Sequence, residues 1–485
     1  MALNLVRNSK VFFTTNVNAN TGVVNASSTA AFSAANIFEI QILDGFTFSQ
    51  NVNNDTVTLA EAGNTPVRGQ RSFNISLAPV DFSFSTYLRP RNQTTRISAE
   101  EAVLWNALLS DTAISTPVSL GAVTGVTVSN TGLVTIAGSA ITGTLPTVGD
   151  IITLSGISAT TPVNNDKFIN GAGTVVSSAV TGITVQLVSY GTTAVTATTL
   201  VTASTVKYSK AAWSESNVSY SQATTGLSDK NQLQKFGMLF LVDNVLYAVD
   251  NCALTQVTVD FGIDAIATAQ WTGQATILRQ FATGVQATAG SFSGGAAADV
   301  GAAGAYTAKD TAAAYITNKL STVNLTAVKS IGTNIVAGDS YAVPITGGSF
   351  SINNNVTYIT PANLGTVNTP VTYFTGTRAI SGNITAYLRT GTVRETGELL
   401  ADLLSEASTT LEPMFALSIN IGGANTVRVV LDMPAVTVGI PSIDVQQVVS
   451  TGITFTAQGY VPSATVANSV FDLTKASDLA VRYYA

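Results

Sequence analysis

The side chains that most often carry enzyme chemistry are scarce in this chain. Its 485 residues include no histidine and one cysteine. Without imidazole, Ser-His-Asp and Cys-His relays are excluded, and a lone thiol can form neither an intrachain disulfide nor a thiolate metal cluster. Cys252, near the end of a strand-like run, is expected to be a buried, inert thiol. The acidic pairs Glu100/Glu101 and Asp260/Asp264 remain as candidates for general acid–base work or cation binding. The first pair opens a predicted helix, where carboxylates meet the positive end of the dipole, and the second straddles a turn between strands. Both pairs are read as structural. The Gly-rich stretch 291–304 has neither the Lys-Ser/Thr nor the strand–loop–helix order of a phosphate loop. No catalytic, cofactor-binding or metal-binding residue is assigned, and the chain is not read as an enzyme.

Composition narrows the partners. The net charge is −6, and only 10% of residues are charged although 46% are hydrophobic. Basic residues are scattered, which argues against a protein that grips nucleic acid by its phosphates. A large β-rich chain with so little charge would aggregate unless neighbouring subunits cover much of its surface. The opening MALNLVRNSK has no apolar core of signal-peptide length, and no run approaches the roughly 20 apolar residues of a membrane helix. Synthesis in a cytoplasm and no membrane insertion are expected.

Two or three domains are expected at this length, and a repeated pattern organises them. FSTYLRP at Phe84–Pro90 is answered by ITAYLRT at Ile384–Thr390. Phe48-Ser49-Gln50-Asn51 upstream is answered by Phe350-Ser351-Ile352-Asn353, and Leu108-Leu109-Ser110-Asp111 downstream by Leu403-Leu404-Ser405-Glu406. Ile263-Asp264 is matched to Ile443-Asp444. One order with one long gap reads as a β-rich unit duplicated in tandem, with a segment inserted in the first copy. The expected units are 1–116 with 207–290, an insert at 117–206, a Gly/Ala-rich linker with a short helix at 291–322, and 323–485 with a tail of unclear structure.

Period-two alternation places strands at Phe38–Ile42, Phe46–Ser49 and Ser72–Tyr87, and a hairpin at Phe236–Val249. Each copy has one amphipathic helix. The first is announced by Ser98 and Glu101 as a capping box before Ala102, Trp105, Leu108 and Leu109; the second carries Leu399, Leu400, Leu403 and Leu404. The nearly uncharged insert, with turn signals at short intervals, predicts a small β-sandwich. Long polar excursions at 51–70 and 353–375 interrupt good strands and are read as functional. Arg89, Arg91, Arg96, Arg389 and Arg394 recur beside the repeated motif, as solvated charge or as ion pairs to a neighbouring subunit.

These features together resemble the tail tube proteins of long-tailed bacteriophages. The resemblance is carried by ILDGFTFS at Ile42–Ser49, the strands ending at FSTYLRP, QLQKFGMLFL at Gln232–Leu241 and, above all, FGIDAIATAQWTG at Phe261–Gly273. It implies a mainly β fold of two tandem tube units, each a small barrel or sandwich with one flanking helix, plus an inserted immunoglobulin-like module. It also implies three chains closing a pseudo-sixfold ring, rings stacking into a tube that guides DNA, and a virion location. Partners would be the tape measure, tail terminator, baseplate or tip, and a sheath if the tail contracts; a module outside the tube favours a non-contractile tail. The loops bridging successive rings would include Asn51, Asn54, Thr56, Asn64, Pro66 and Arg68, and Asn353, Asn355, Pro361, Asn368 and Pro370. Arg89, Arg91, Arg96, Arg389 and Arg394 would be subunit-interface charges. A competing reading is a phage or cell-surface adhesin whose 117–206 module binds glycans. A β-helical polysaccharide-degrading enzyme lacks its solenoid period and clustered carboxylates here.

Overall fold

The computed structural model describes residues 9–25, 36–43, 45–57, 71–93, 96–109, 118–121, 123–129, 131–138, 141, 144–157, 171–188, 198–200, 206–209, 212–213, 217–221, 233–242, 245–283, 314–330, 333–391, 394–406, 414–423, 427–445, 448–461, 470–471 and 478–484. The fold is mainly β, with helices α1 (Ala102–Leu109) and α2 (Thr396–Glu406).

Alternation of Phe, Ile and Val with Ser, Thr and Asn gives the main strands one buried and one polar face. These strands join in a 19-stranded sheet that holds both halves of the chain. One antiparallel ladder runs through its middle, called here the spanning ladder. From its first edge, Phe46–Val57 pairs with Arg71–Tyr87, that strand with Thr268–Ala275, and that with the second part of the long strand Val245–Asp260. The long strand then pairs with Ile345–Asn353 of the second half. The ladder continues through Ala379–Tyr387 and Ser450–Ala457 to the short strand Ser442–Asp444.

Each half adds a flank sheet. In the first half, Ile37–Ile40, Lys10–Thr14, Phe236–Val242, the opening part of Val245–Asp260 and Ile277–Thr283 lie side by side. In the second, Ser340–Val343, Thr322–Ala327, Met414–Gly422, Arg428–Val438 and Ala480–Tyr484 do the same. Thus the segment read as a tail of unclear structure ends in a strand that closes the second half, as Ile277–Thr283 closes the first. The core lies between ladder and flanks. Trp105 of α1 meets Trp271 edge-on, with ring centroids 5.0 Å apart.

Several expectations change in detail. Ser442–Asp444 places Ile443 opposite Thr451 and Asp444 opposite Ser450, as Val259 stands opposite Ala269 and Asp260 opposite Thr268. Ile443-Asp444 therefore corresponds to Val259-Asp260 and not to Ile263-Asp264. Leu404 is 54% exposed, so the buried stripe of α2 is Leu399, Leu400 and Leu403. Of the segment read as a short helix before residue 322, residues 314–317 are non-helical and Asn318–Leu320 is a 3-10 turn. Lys207–Ser209 pairs with Thr153–Ser155 and with Val118–Ser119, so the inserted sheet extends past Val206. That sheet is 8-stranded and packs its own core around Val126, Val134, Ile136, Ile152, Leu154, Val175 and Val185.

Candidate assembly interface

The joint between the halves is made residue by residue. Gln256–Asp260 pairs with Asn353–Ser349, placing Val259 opposite Phe350. Behind the ladder, Asn354 is 3% exposed. Its backbone N–H donates to Thr255 O (2.8 Å), and its amide Nδ2 donates to Leu108 O (3.1 Å) and Leu254 O (3.3 Å). The hairpin Val356–Ile359 with Thr372–Thr375 folds back on the first half. The Tyr358 hydroxyl donates to Asn251 O (2.7 Å) and Gln274 O (2.9 Å), and the Tyr373 hydroxyl to Leu233 O (3.0 Å).

Outside this joint the spanning ladder ends in two open edges. At one, Phe46–Val57 pairs with one strand only among the described residues, and Thr47 and Ser49 are exposed. At the other, Ser442–Asp444 is exposed along its length, with Ile443 at 50%. The two edges hold matching registers. Phe48 stands opposite Phe82 as Phe350 stands opposite Gly382. Ile443 holds the place that Val259 holds in the joint.

The face of the ladder turned from the core carries hydroxyls and amides: Thr47, Ser49, Ser83, Thr258, Gln270, Ser351, Asn383 and Thr454 are all at least partly exposed. Outside the segments 51–57 and 71–77, its exposed charges among the described residues are Asp81, Asp260 and Asp444. A recess of about 460 Å³ lies on this face at the joint, between Asp81, Thr272, Gln274 and Asn353. The two ends of the ladder expose apolar side chains. One end carries Phe73 (46%), Leu364 (103%), Val367 (51%) and Phe374 (44%), and the other Ile263 (41%), Val445 (77%) and Val448 (60%).

No family model matches the chain. It is 24% identical over 462 residues to "Tail tube protein pb6" of Escherichia phage T5, an alignment that covers 94% of this chain and 73% of that protein. The chain is a homologue of a phage tail tube protein.

The expected loop residues of this tail tube homologue fall into three groups. Asn51, Asn54 and Thr56 are exposed on a two-stranded arm, because both strands of the first excursion extend further than their polarity suggested. Asn64, Pro66 and Arg68 lie outside the described residues. In the second excursion Asn355 is exposed, Asn353, Pro361 and Asn368 are half-buried and Pro370 is buried. The Leu77 N–H donates to Asn368 O (2.8 Å) and the Asn368 N–H to Ile75 O (3.1 Å), so the second excursion lies along the arm of the first.

Most of the expected interface arginines are engaged within the chain. Arg89 is 4% exposed, ion-paired to Glu100 and stacked 4.9 Å from the Tyr315 ring centroid. Arg91 is 5% exposed. A guanidinium enclosed by its own subunit has no face to offer a neighbour. Arg394 is 2.8 Å from Asp339 and within ion-pair reach of Glu398 and Asp402, packed against Tyr341. Arg389 keeps 60% of its side chain exposed while approaching Glu395 at 3.5 Å, and alone of these four remains open to a partner. The Arg96 side chain lies outside the described residues.

The acidic pairs separate in character. Asp264 forms an exposed ion pair with Lys319 at 3.0 Å, and Asp260 is an exposed strand end. Among the described residues, no group of three or more His, Cys, Asp or Glu could hold a metal. Cys252 is buried, and burial pushes its thiol well above the usual range. Glu101 is the unexpected group. Rather than meeting water at a helix start, it is 2% exposed and accepts a hydrogen bond from the Tyr483 hydroxyl. Trp105 Nε1 donates to that hydroxyl at 2.6 Å, and Glu101 Oε2 has no hydrogen-bond partner. Burial pushes the carboxyl up to about 7, against the lowering effect of the Tyr483 bond.

Sequence reading also missed an ion pair on a buried aspartate in each flank sheet. Arg279 lies opposite Ala248 and reaches diagonally to Asp250 at 2.7 Å. Arg482 lies opposite Val430 and reaches in the same diagonal sense to Asp432, which also accepts from Ser418 Oγ at 2.7 Å. A lone Arg among apolar strand residues carries no sequence signal for this. Its partner is revealed only by strand register.

Proposed function

We propose that this chain builds the tail tube of a long-tailed phage, three chains closing a pseudo-sixfold ring and stacked rings forming the conduit for DNA ejection. The observation that carries this reading is the joint between the halves. It is a completed copy of the contact that the two open edges could make between chains. Applying its register, Ile443 of one chain pairs with Phe48 of the next, Ser442 with Ser49, and Asp444 with Thr47. A closed ring then leaves no free ladder edge, which resolves the aggregation hazard of exposed strands. Two tandem tube units per chain, with an inserted immunoglobulin-like module, give the sixfold appearance from three chains.

The polar face of the ladder suits a lumen. The only basic residue on the ladder strands is Arg71, in the arm. Hydroxyls, amides and isolated carboxylates neither neutralise phosphates nor release counterions, so DNA has little to bind. The apolar ends suit stacking of one ring on the next, with the arm and the folded-back hairpin at one surface. The role is structural, within the virion, after synthesis in the host cytoplasm. The partners beyond this chain itself are the tape measure, the tail terminator, the baseplate or tip and any sheath.

The test is negative-stain electron microscopy with solution mass, together with the double variant Ser442→Cys/Ser49→Cys. Hollow tubes, and oxidation into covalent closed trimers of that variant, are expected. Stable monomers over a wide concentration range would overturn the tube reading, and tubes without the cross-link would overturn the register.

A further inference from the structure

The inserted segment does not hang from the fold as an appendage. The return strand Asn217–Ser221, which follows the inserted sheet and joins the 19-stranded one, pairs with the closing strand Ala480–Tyr484, from Asn217 opposite Tyr484 to Ser221 opposite Ala480. The closing strand is therefore held on both sides, by Arg428–Val438 and by the return strand. The inserted sheet adds a second contact. Ile151, Ala172 and Val188 form one buried cluster with Ala416 and Ala480 of the second half. Along Ile151–Ser155, Ile152 and Leu154 face the insert's own core while Ile151 faces this cluster. A strand apolar on both faces is what a docked sheet requires.

The closing strand also reaches the first half, through Tyr483 to Glu101 and Trp105 at α1. Val481 and Tyr483 are each 0% exposed. The matching strand of the first half, Ile277–Thr283, pairs with Val245–Asp260 alone among the described residues, and its residues 277–281 are half-buried or exposed. Two equivalent strands thus differ in how firmly they are enclosed, and the inserted segment makes the difference.

We propose that the inserted sheet and the return strand Asn217–Ser221 together form an internal clasp, which seats the strand Ala480–Tyr484 between the two halves and fixes the angle at which they meet. In the tube reading, on which this last consequence rests, that angle sets the curvature of a three-chain ring.

Two variants of the full chain test the clasp by hydrogen exchange. Adjacent prolines, Ser219→Pro with Tyr220→Pro, remove whichever backbone N–H faces the closing strand. Ile151→Asp places a charge in the docking cluster and leaves the insert's own core intact. Exchange at residues 480–484 is expected to accelerate about tenfold or more in both variants. Exchange at Val134 and Ile183, inside the insert, is expected to stay unchanged, showing that the insert still folds. Unchanged exchange at 480–484 in both variants would overturn the clasp. Arcs or tubes of uneven diameter from loosened variants would support the angle-setting role, and uniform tubes would overturn it. If the unmodified chain forms no tubes at all, the tube reading fails while the exchange result still judges the clasp.

Discussion

Glu101 offers the sharpest quantitative prediction. Its carboxyl rises from 4.5 to about 7 in the folded chain, chiefly because burial disfavours the charged form, with the nearby Glu100 carboxylate adding to the rise. Between those values the native chain holds a proton that the unfolded chain has released. Stability therefore falls as pH rises through this window, by about 1.4 kcal/mol per pH unit from this group, and levels off above pH 7. The accumulated loss is about 3 kcal/mol, large against a typical margin of about 5–15 kcal/mol. Glu101→Gln retains an acceptor for the Tyr483 hydroxyl and removes the titration. Urea unfolding of dilute, unassembled chain from pH 4.5 to 8 is the assay. Other carboxylates contribute equally to both proteins, so the difference between the two curves isolates Glu101. The variant is expected to gain about 3 kcal/mol relative to the parent across this range. Parallel curves would refute the argument and show that Glu101 reaches water or a cation when folded.

Three further outcomes follow from packing. At Gly273 an added Cβ would lie 2.2 Å from the Phe82 ring, so Gly273→Ala is expected to cost about 1–3 kcal/mol in thermal unfolding, partly recovered by Phe82→Leu. Asp432→Ala leaves Arg482 buried without its anion and is expected to cost about 3–5 kcal/mol in urea unfolding, whereas Lys319→Ala, breaking an exposed pair, changes nothing measurable. Leu364→Asp, at a fully exposed hairpin tip, is expected to leave the melting temperature unchanged and to shorten tubes in electron micrographs; tubes of normal length would remove that tip from the stacking surface.

The two halves hold one kind of aromatic–glycine contact in different places. Phe82 lies opposite Gly273, and Gly382 lies opposite Phe455, so the aromatic–glycine pair has changed strands between the halves. At Gly382 an added Cβ would lie 2.5 Å from the Phe455 ring. Each ring needs the space that only a glycine opposite provides. Read along the sequence these positions do not match, while in the ladder each half fills the space over a glycine with one ring.

Local pattern determined the β class, the helices at Ala102–Leu109 and Thr396–Glu406 and the Phe236–Val249 hairpin, because side-chain period and turn residues act over a few neighbours; the expected capping box did not form, since Ser98 lies in the strand Arg96–Ala99 and the Glu101 carboxyl pairs with Tyr483. Composition alone removed histidine and disulfide chemistry, and the order of weak motifs was enough to suggest a tube protein. Tertiary structure decided everything that depends on register between distant strands. It joined the halves through Val259 and Phe350, folded the second excursion back on Asn251 and Gln274, and enclosed Arg89 away from any neighbour. It also turned Glu101 from a helix-start acid into a buried, proton-holding group beneath Tyr483, 382 residues away. Such pairings cost loop-closure entropy that no local propensity encodes, and only the packed core selects among them.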